Sequence, residues 1–190
     1  MDLDLLKRLD HFYKIVSKSE FTSNNQQLNV NDGIMLFFEF CNDLKKRAGN
    51  LYIIGNGGSA GVAAHATTDF FNIAGIKATT LHESSLFSCF ANDYGYENVF
   101  SKQIEKLVDE KDILIAISSS GNSMNIRNAV LTANKKNTQT ITLTGFKKNN
   151  PLRQLGNLNI WLNSCDYGFV EIGHQFILHN VADKFNKVFK

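Results

Sequence analysis

The sequence predicts a doubly wound α/β domain, in which five parallel strands carry helices on both faces. Three observations lead there. Short apolar runs (LYIIG, KATTL, ILIAIS, TITLTG and LNIWLN) alternate with stretches of helical periodicity after residue 49. Strands that alternate with helices argue for a parallel sheet, because a parallel crossover needs a helix to return the chain. Hydrophobic residues make up 43% of the 190, enough to fill one core and too many for a disordered chain. Finally, two loops rich in glycine and serine, GNGGS at 55–59 and SSSGNS at 118–123, directly follow the runs LYII and ILIAI.

The elements follow in chain order. Residues 2–18 place Leu5, Leu6, Leu9, Phe12, Tyr13 and Val16 at helical spacing. The polar stretch SKSEFTSNNQQLNVND breaks that pattern. A second helix is expected from Gly33 to Ala48, with Ile34, Phe37, Phe38, Cys41 and Leu44 on one side and Gly49 as its C-cap. Between the five strands lie helical stretches at about 60–73, 85–107 in two pieces and 123–136, and a short turn near 149–155. A final helix fits about 169–188. The chain reads as a single domain, with residues 1–48 a helical extension and 49–190 the α/β core. The two leading helices would pack on this core or on a partner subunit.

Composition excludes several functions. With 20 basic and 18 acidic residues the net charge is +2, which gives no electrostatic case for nucleic acid. The three cysteines, Cys41, Cys89 and Cys165, match neither a zinc ribbon nor a redox pair. They read as reduced thiols, as in the cytoplasm. The opening MDLDLLKRLD has no apolar core of signal-peptide type, and no later run reaches transmembrane length. A cytoplasmic protein without a membrane partner is the expectation.

Both glycine-serine loops sit where a strand ends and a helix begins, the edge at which open α/β sheets bind ligands. Glycine lets the backbone come close to a ligand, and the free N–H groups and dipole of the helix start favour an anion. Ser59, Ser118, Ser119, Ser120 and Ser123 add hydroxyl donors. Taken singly, each loop reads equally as an ordinary turn with a serine cap; two at equivalent places point to a phosphate or a sugar. GNGGSAG nearly fits the dinucleotide pattern, but no acidic residue ends the second strand, where only Glu83 is offered. The Walker pattern fails, since no Lys-Ser/Thr pair follows the loop. No nucleotide cofactor is expected.

Two further groups carry chemistry. His65 and Asp69, four apart on an expected helix, share a face and would make half a zinc site or a local hydrogen bond. The last helix holds Glu171, His174 and His179 among apolar residues. Glu171 and His179 are eight apart, about 12 Å along a straight helix, too far for one metal unless the helix bends at Gly173 or neighbouring subunits contribute. His174 lies nearer Glu171 and would orient it or meet the substrate.

GNGGSA, ANDYGYENVFSKQIE, ISSSGNS, TITLTG and the final HQFILH, in this order behind two leading helices, resemble the sugar isomerase (SIS) domain and, within it, the phosphoheptose isomerases. The resemblance implies a flavodoxin-like sheet, a homotetramer with active sites at subunit contacts, and a sugar phosphate substrate. The reaction it implies is aldose–ketose isomerisation of sedoheptulose 7-phosphate to a heptose 7-phosphate, for lipopolysaccharide or capsule. By the same resemblance the phosphate falls to Ser59, Ser118, Ser119, Ser120 and Ser123, and the sugar to Asn56, Gly57, the adjoining Gly58, Asn92 and Asp93. Asp69 takes the place of the catalytic glutamate and His179 that of the catalytic histidine. Some members bind zinc at the positions of His65, Asp69, Glu171 and His179, which allows one zinc ion per active site. Asp69 is one methylene shorter than the family's glutamate, and Glu171 replaces a glutamine. Two other readings stand beside this one: a non-catalytic SIS module that binds a phosphosugar or a protein partner and regulates, and, more weakly, a nucleotide-binding protein.

Overall fold

The computed structural model describes residues 4–186; the ends of the expected first and last helices, at 2–3 and 187–188, lie outside them. The described chain runs α1 (Leu5–Ser17), β1 (Glu20–Ser23), β2 (Gln26–Leu28), α2 (Val30–Lys46), β3 (Asn50–Ile54), α3 (Gly58–Asn72), β4 (Lys77–Thr80), α4 (Ser84–Tyr94), α5 (Val99–Leu107), β5 (Ile113–Ser118), α6 (Met124–Lys135), β6 (Gln139–Thr144), β7 (Leu158–Trp161) and α7 (Tyr167–Asp183). Short 3₁₀ turns at Tyr96–Asn98 and Leu152–Gln154 complete it.

All strands join one sheet in the order β2-β1-β7-β6-β5-β3-β4. The five from β3 to β7 are mutually parallel, and their order is that of a flavodoxin-like domain. Period-two alternation sorts their side chains onto two faces. Leu51, Ile53, Ile113, Ile115 and Ile117 meet Phe37 and Leu44 of α2, Ala63 and Phe70 of α3, and Leu178 and Val181 of α7. Tyr52, Ile54, Leu114 and Ala116 meet Phe100 and Ile104 of α5 and Ile126, Ala129 and Val130 of α6. Each large aliphatic or aromatic side chain removed from water here contributes roughly 1.5–3 kcal/mol.

The stretch expected to be a polar break is instead a β-hairpin that adds two antiparallel strands to the sheet edge, with β1 paired to β7. Its anchor is Phe21, fully buried against Gly33 of α2, where a Cβ would stand 2.3 Å from the ring. Glu20 holds the hairpin from the other side, through Arg153 at 2.8 Å and Lys148 at 2.7 Å. The end of α2 also differs from expectation. Ala48, not Gly49, takes the left-handed conformation, at φ 54°. The Gly49 N–H then reaches the Leu44 carbonyl and that of Ala48 the Lys45 carbonyl, the Schellman arrangement.

Candidate active site

From β3 the chain moves outward to β4, then returns across β3 to β5 on its other side. The carboxyl ends of β3 and β5 are therefore the topological switch point of the sheet. Both glycine-serine loops emerge there. They line a single cavity of about 370 Å³, with Asn56, Gly57, Gly58 and Ser59 on one wall and Ser118, Ser119, Ser120 and Ser123 on the other. Ile117 of β5 and Tyr167 and Glu171 of α7 complete the lining.

The helix starts beside this cavity lack the caps of ordinary turns. Gly57 and Ser123, the N-caps of α3 and α6, make no side-chain capping bond. The amides of the first two residues of each helix, Gly58 and Ser59 and Met124 and Asn125, have no carbonyl one turn back and keep their capacity for a ligand. Gly57 has φ 53°, open to glycine at no steric cost. The Ser120 hydroxyl accepts from the Asn122 N–H at 3.2 Å and keeps its own proton to donate. Ser118 donates to Ser123 at 3.3 Å, and the buried Ser119 hydroxyl has no partner. Among the described residues no lysine or arginine lines the cavity, and the one charged residue that does is Glu171. Glu171 lies so close over Gly58 that a Cβ there would be 2.3 Å from Oε2.

Further along the same two helices a second group forms. The buried Asp69 of α3 places Oδ2 2.9 Å from His179 Nδ1 and 3.4 Å from His65 Nε2. On the far side of the ring, His179 Nε2 is 3.4 Å from Asp183 Oδ2. The hydrogen bond that His179 donates to Asp69 holds the imidazole above its ordinary range; slight burial opposes this, and the charges of Asp69 and Asp183 add to it. One donor atom from each of His65, Asp69 and His179 lies within 4.8 Å of the others. Imidazole nitrogens and a carboxylate oxygen are a donor set that suits zinc, and three protein ligands leave a position open for water or substrate.

Other expected site residues are not brought together within one chain. Glu171 lies at the cavity and is not in the His65–Asp69–His179 group. Asn92 and Asp93 sit exposed on α4, bonded to each other at 3.0 Å, and do not line the cavity. His174 neither orients Glu171 nor reaches the cavity; it is fully buried, with Nε2 3.1 Å from the Thr144 carbonyl. Sequence reasoning missed several supports. His82 Nε2 holds the Gly55 carbonyl at 2.7 Å, and Asn125 and Tyr96 bond to Asn56. Asp183 was legible, at the same i, i+4 spacing from His179 that singled out His65 and Asp69. The others bond across distances in sequence that leave no local pattern.

Residues 12–145 match the SIS domain family. A phosphoheptose isomerase from Geobacter sulfurreducens is 34% identical over 160 residues, covering 81% of this chain and 84% of the relative. Phosphoheptose isomerase 1 of Campylobacter jejuni is 36% identical over 157 residues, covering 78% and 82%. Among solved structures, phosphoheptose isomerase from Neisseria gonorrhoeae superimposes with a TM-score of 0.79 at 24% identity, over 96% of this chain and 98% of that one.

Proposed function

This chain belongs to the SIS-domain family and, within it, to the phosphoheptose isomerases, and we propose that it interconverts sedoheptulose 7-phosphate and a heptose 7-phosphate. The observation that carries the chemistry is the 2.9 Å contact of Asp69 with His179. Isomerisation moves a proton between adjacent carbons through an enediolate, which needs a base, an acid and a stabiliser of the developing oxyanion. Asp69 removes the proton from C1 of the ketose and returns it at C2. His179, held above its ordinary range by Asp69, carries the proton that moves between the two oxygens.

The serine loops hold the phosphate and so fix which carbons meet the pair. Glu171 at the cavity and His179 in the pair are eight residues apart on α7, about 12 Å, a span comparable to an extended seven-carbon sugar phosphate. Asn92 and Asp93 would meet the sugar from a neighbouring subunit. His65, Asp69 and His179 would hold a zinc ion, with Glu171 reaching it from a second subunit. Bound there, zinc would polarise the substrate carbonyl.

A homotetramer with sites at subunit contacts is supported by apolar side chains left bare on adjoining helices. Leu5, Leu6, Leu9 and Tyr13 of α1 and Ile172 and Phe176 of α7 are all more than half exposed. The free thiols Cys41, Cys89 and Cys165 support a cytoplasmic setting, and no described helix is long and apolar enough to cross a membrane. The product would feed heptose synthesis for lipopolysaccharide or capsule.

The test is an NMR assay of sedoheptulose 7-phosphate with the wild type, Asp69→Asn and His179→Gln. Loss of the base or of the acid should slow isomer exchange by roughly 10²–10⁴-fold. Wild-type rates in both variants would remove these roles, and an unchanged spectrum with folded wild type would remove the activity.

A further inference from the structure

Asn56 meets the cavity as one half of a closed pair of carboxamides. Its Nδ2 donates to Asn125 Oδ1 at 2.9 Å, and its Oδ1 accepts from Asn125 Nδ2 at 2.9 Å. Asn125 is the second residue of α6, is 2% exposed and does not line the cavity. The orientation of the pair is determined from outside it. The backbone N–H of Ile126 donates to Asn125 Oδ1 at 3.0 Å, and an N–H can bond only the oxygen edge of an amide. The NH₂ edge of Asn125 must then face Asn56, whose oxygen must face back. The Tyr96 hydroxyl donates to that same oxygen at 3.2 Å. Both lone-pair positions of Asn56 Oδ1 are thus filled, and one N–H of its Nδ2 remains for a ligand.

We propose that Asn125 and Tyr96 are positioning residues that lock Asn56 as a pure hydrogen-bond donor toward the sugar phosphate. The inference rests on the isomerase reading above. An unrestrained asparagine offers either edge to a ligand. Locked, Asn56 offers only an N–H, which suits an oxygen of the sugar beside its phosphate end, in the cavity that Asn56 lines. Its carbonyl edge in the same place would oppose the lone pairs of that oxygen. The pair also ties the loop after β3 to the helix after β5, so the two walls of the cavity keep one spacing.

The test is Asn125→Asp, which is nearly isosteric. Its carboxylate still accepts from Ile126 and from Asn56 Nδ2, but sets its second oxygen against Asn56 Oδ1. Only the protonated acid restores the missing donor. The kcat/KM of the variant should fall roughly tenfold above neutrality, as expected for one buried hydrogen-bond partner lost, and its ratio to wild type should recover as pH falls. A merely structural role would give a ratio flat in pH; that result, or wild-type constants throughout, overturns the proposal. Calorimetry with sedoheptulose 7-phosphate and with inorganic phosphate gives an arm that needs no turnover. The new carboxylate, at the start of α6, weakens both ligands through their phosphate, but preference for the sugar phosphate over inorganic phosphate should drop in the variant, and equal preference in both proteins overturns the proposal. A wild type that binds without turning over would defeat the isomerase reading and leave this arm to decide on Asn125. If Asn125→Asp does not fold, Tyr96→Phe removes a single donor at an exposed residue and should lower the same preference by a smaller factor; no change overturns the proposal.

Discussion

Mild acid should destabilise this protein through His174. The ring is buried on α7 with Nε2 at the Thr144 carbonyl and no partner for Nδ1. Burial pushes its pKa down from 6.5 to about 4, with the Thr144 carbonyl opposing only in part. The unfolded chain takes up this proton near the ordinary value, while the folded chain refuses it until about pH 4. Between the two the unfolded state binds more protons, so stability falls as pH falls. At about 1.4 kcal/mol for each pH unit, the whole interval is worth roughly 3 kcal/mol, of which the step from pH 7 to 5 takes about 2. The assay is urea unfolding at fixed protein concentration between about pH 7.5 and 4.5, comparing wild type with His174→Gln. Glutamine can place its Nε2 near the Thr144 carbonyl and carries nothing that titrates, so its curve should be flatter by about 2 kcal/mol between pH 7 and 5. His179 acts with the opposite sign. Its raised pKa adds stability that is present below the ordinary imidazole value and is lost as pH rises through the folded one. That contribution is common to both proteins and cancels. Parallel curves for wild type and variant would refute the argument.

Three other outcomes are expected. Ser120→Ala should weaken inorganic phosphate binding by roughly fivefold to tenfold, the worth of about 1 kcal/mol for one neutral hydrogen bond, with little change in thermal midpoint; unchanged affinity by calorimetry would take Ser120 out of the cradle. Gly58→Ala puts a methyl group 2.3 Å from Glu171 Oε2. The obstacle is the end of a flexible side chain, so the fold should persist while isomer exchange slows as the carboxylate is pushed aside, and wild-type exchange would deny Glu171 a part in the site. Ala48→Gly should stabilise the protein by about 0.5 kcal/mol, because glycine relieves a strained left-handed position at some cost in unfolded-chain freedom; urea midpoints decide it.

What the sequence revealed follows the range over which each signal acts. Strands β3 and β5 were legible because every residue of ILIAIS and nearly all of NLYII is buried, which writes an apolar run into the chain. The hairpin was not. Only Phe21 of its seven strand residues is buried, and the partner that makes sense of it is Gly33, a glycine whose own segment marks only the start of a helix. The end of α2 departs from expectation because propensity favours Gly49, whereas the backbone turns one residue earlier, at Ala48. In the site, glycine and serine density is local and pointed to both loops. The Asn56–Asn125 pair joins residues 69 apart and is created only when β3 and β5 become neighbours. Asp69 and His179 stand 110 apart in the chain, and nothing in their own segments predicts the contact; the family resemblance supplied their roles.

Charge gives the cavity its character. Among the described residues a phosphate there would meet no lysine or arginine; it would be held by first-turn amides, by the positive ends of α3 and α6, and by hydroxyls. The helix ends contribute about 0.3–1 kcal/mol each when exposed, and neutral hydrogen bonds about 0.5–1.5. These are short-range, directional terms. They favour an ester placed in one register more than they favour anions in general, whereas a lysine-lined site would draw in anions of many shapes through longer-range attraction. Glu171, beside the positive end of α3, sharpens that difference. It would repel every anion, and only one that satisfies the full set of donors would outweigh that cost, so the cavity would discriminate by fit. An isomerase requires that property, because its base must address one pair of carbons in a chain of chemically similar ones.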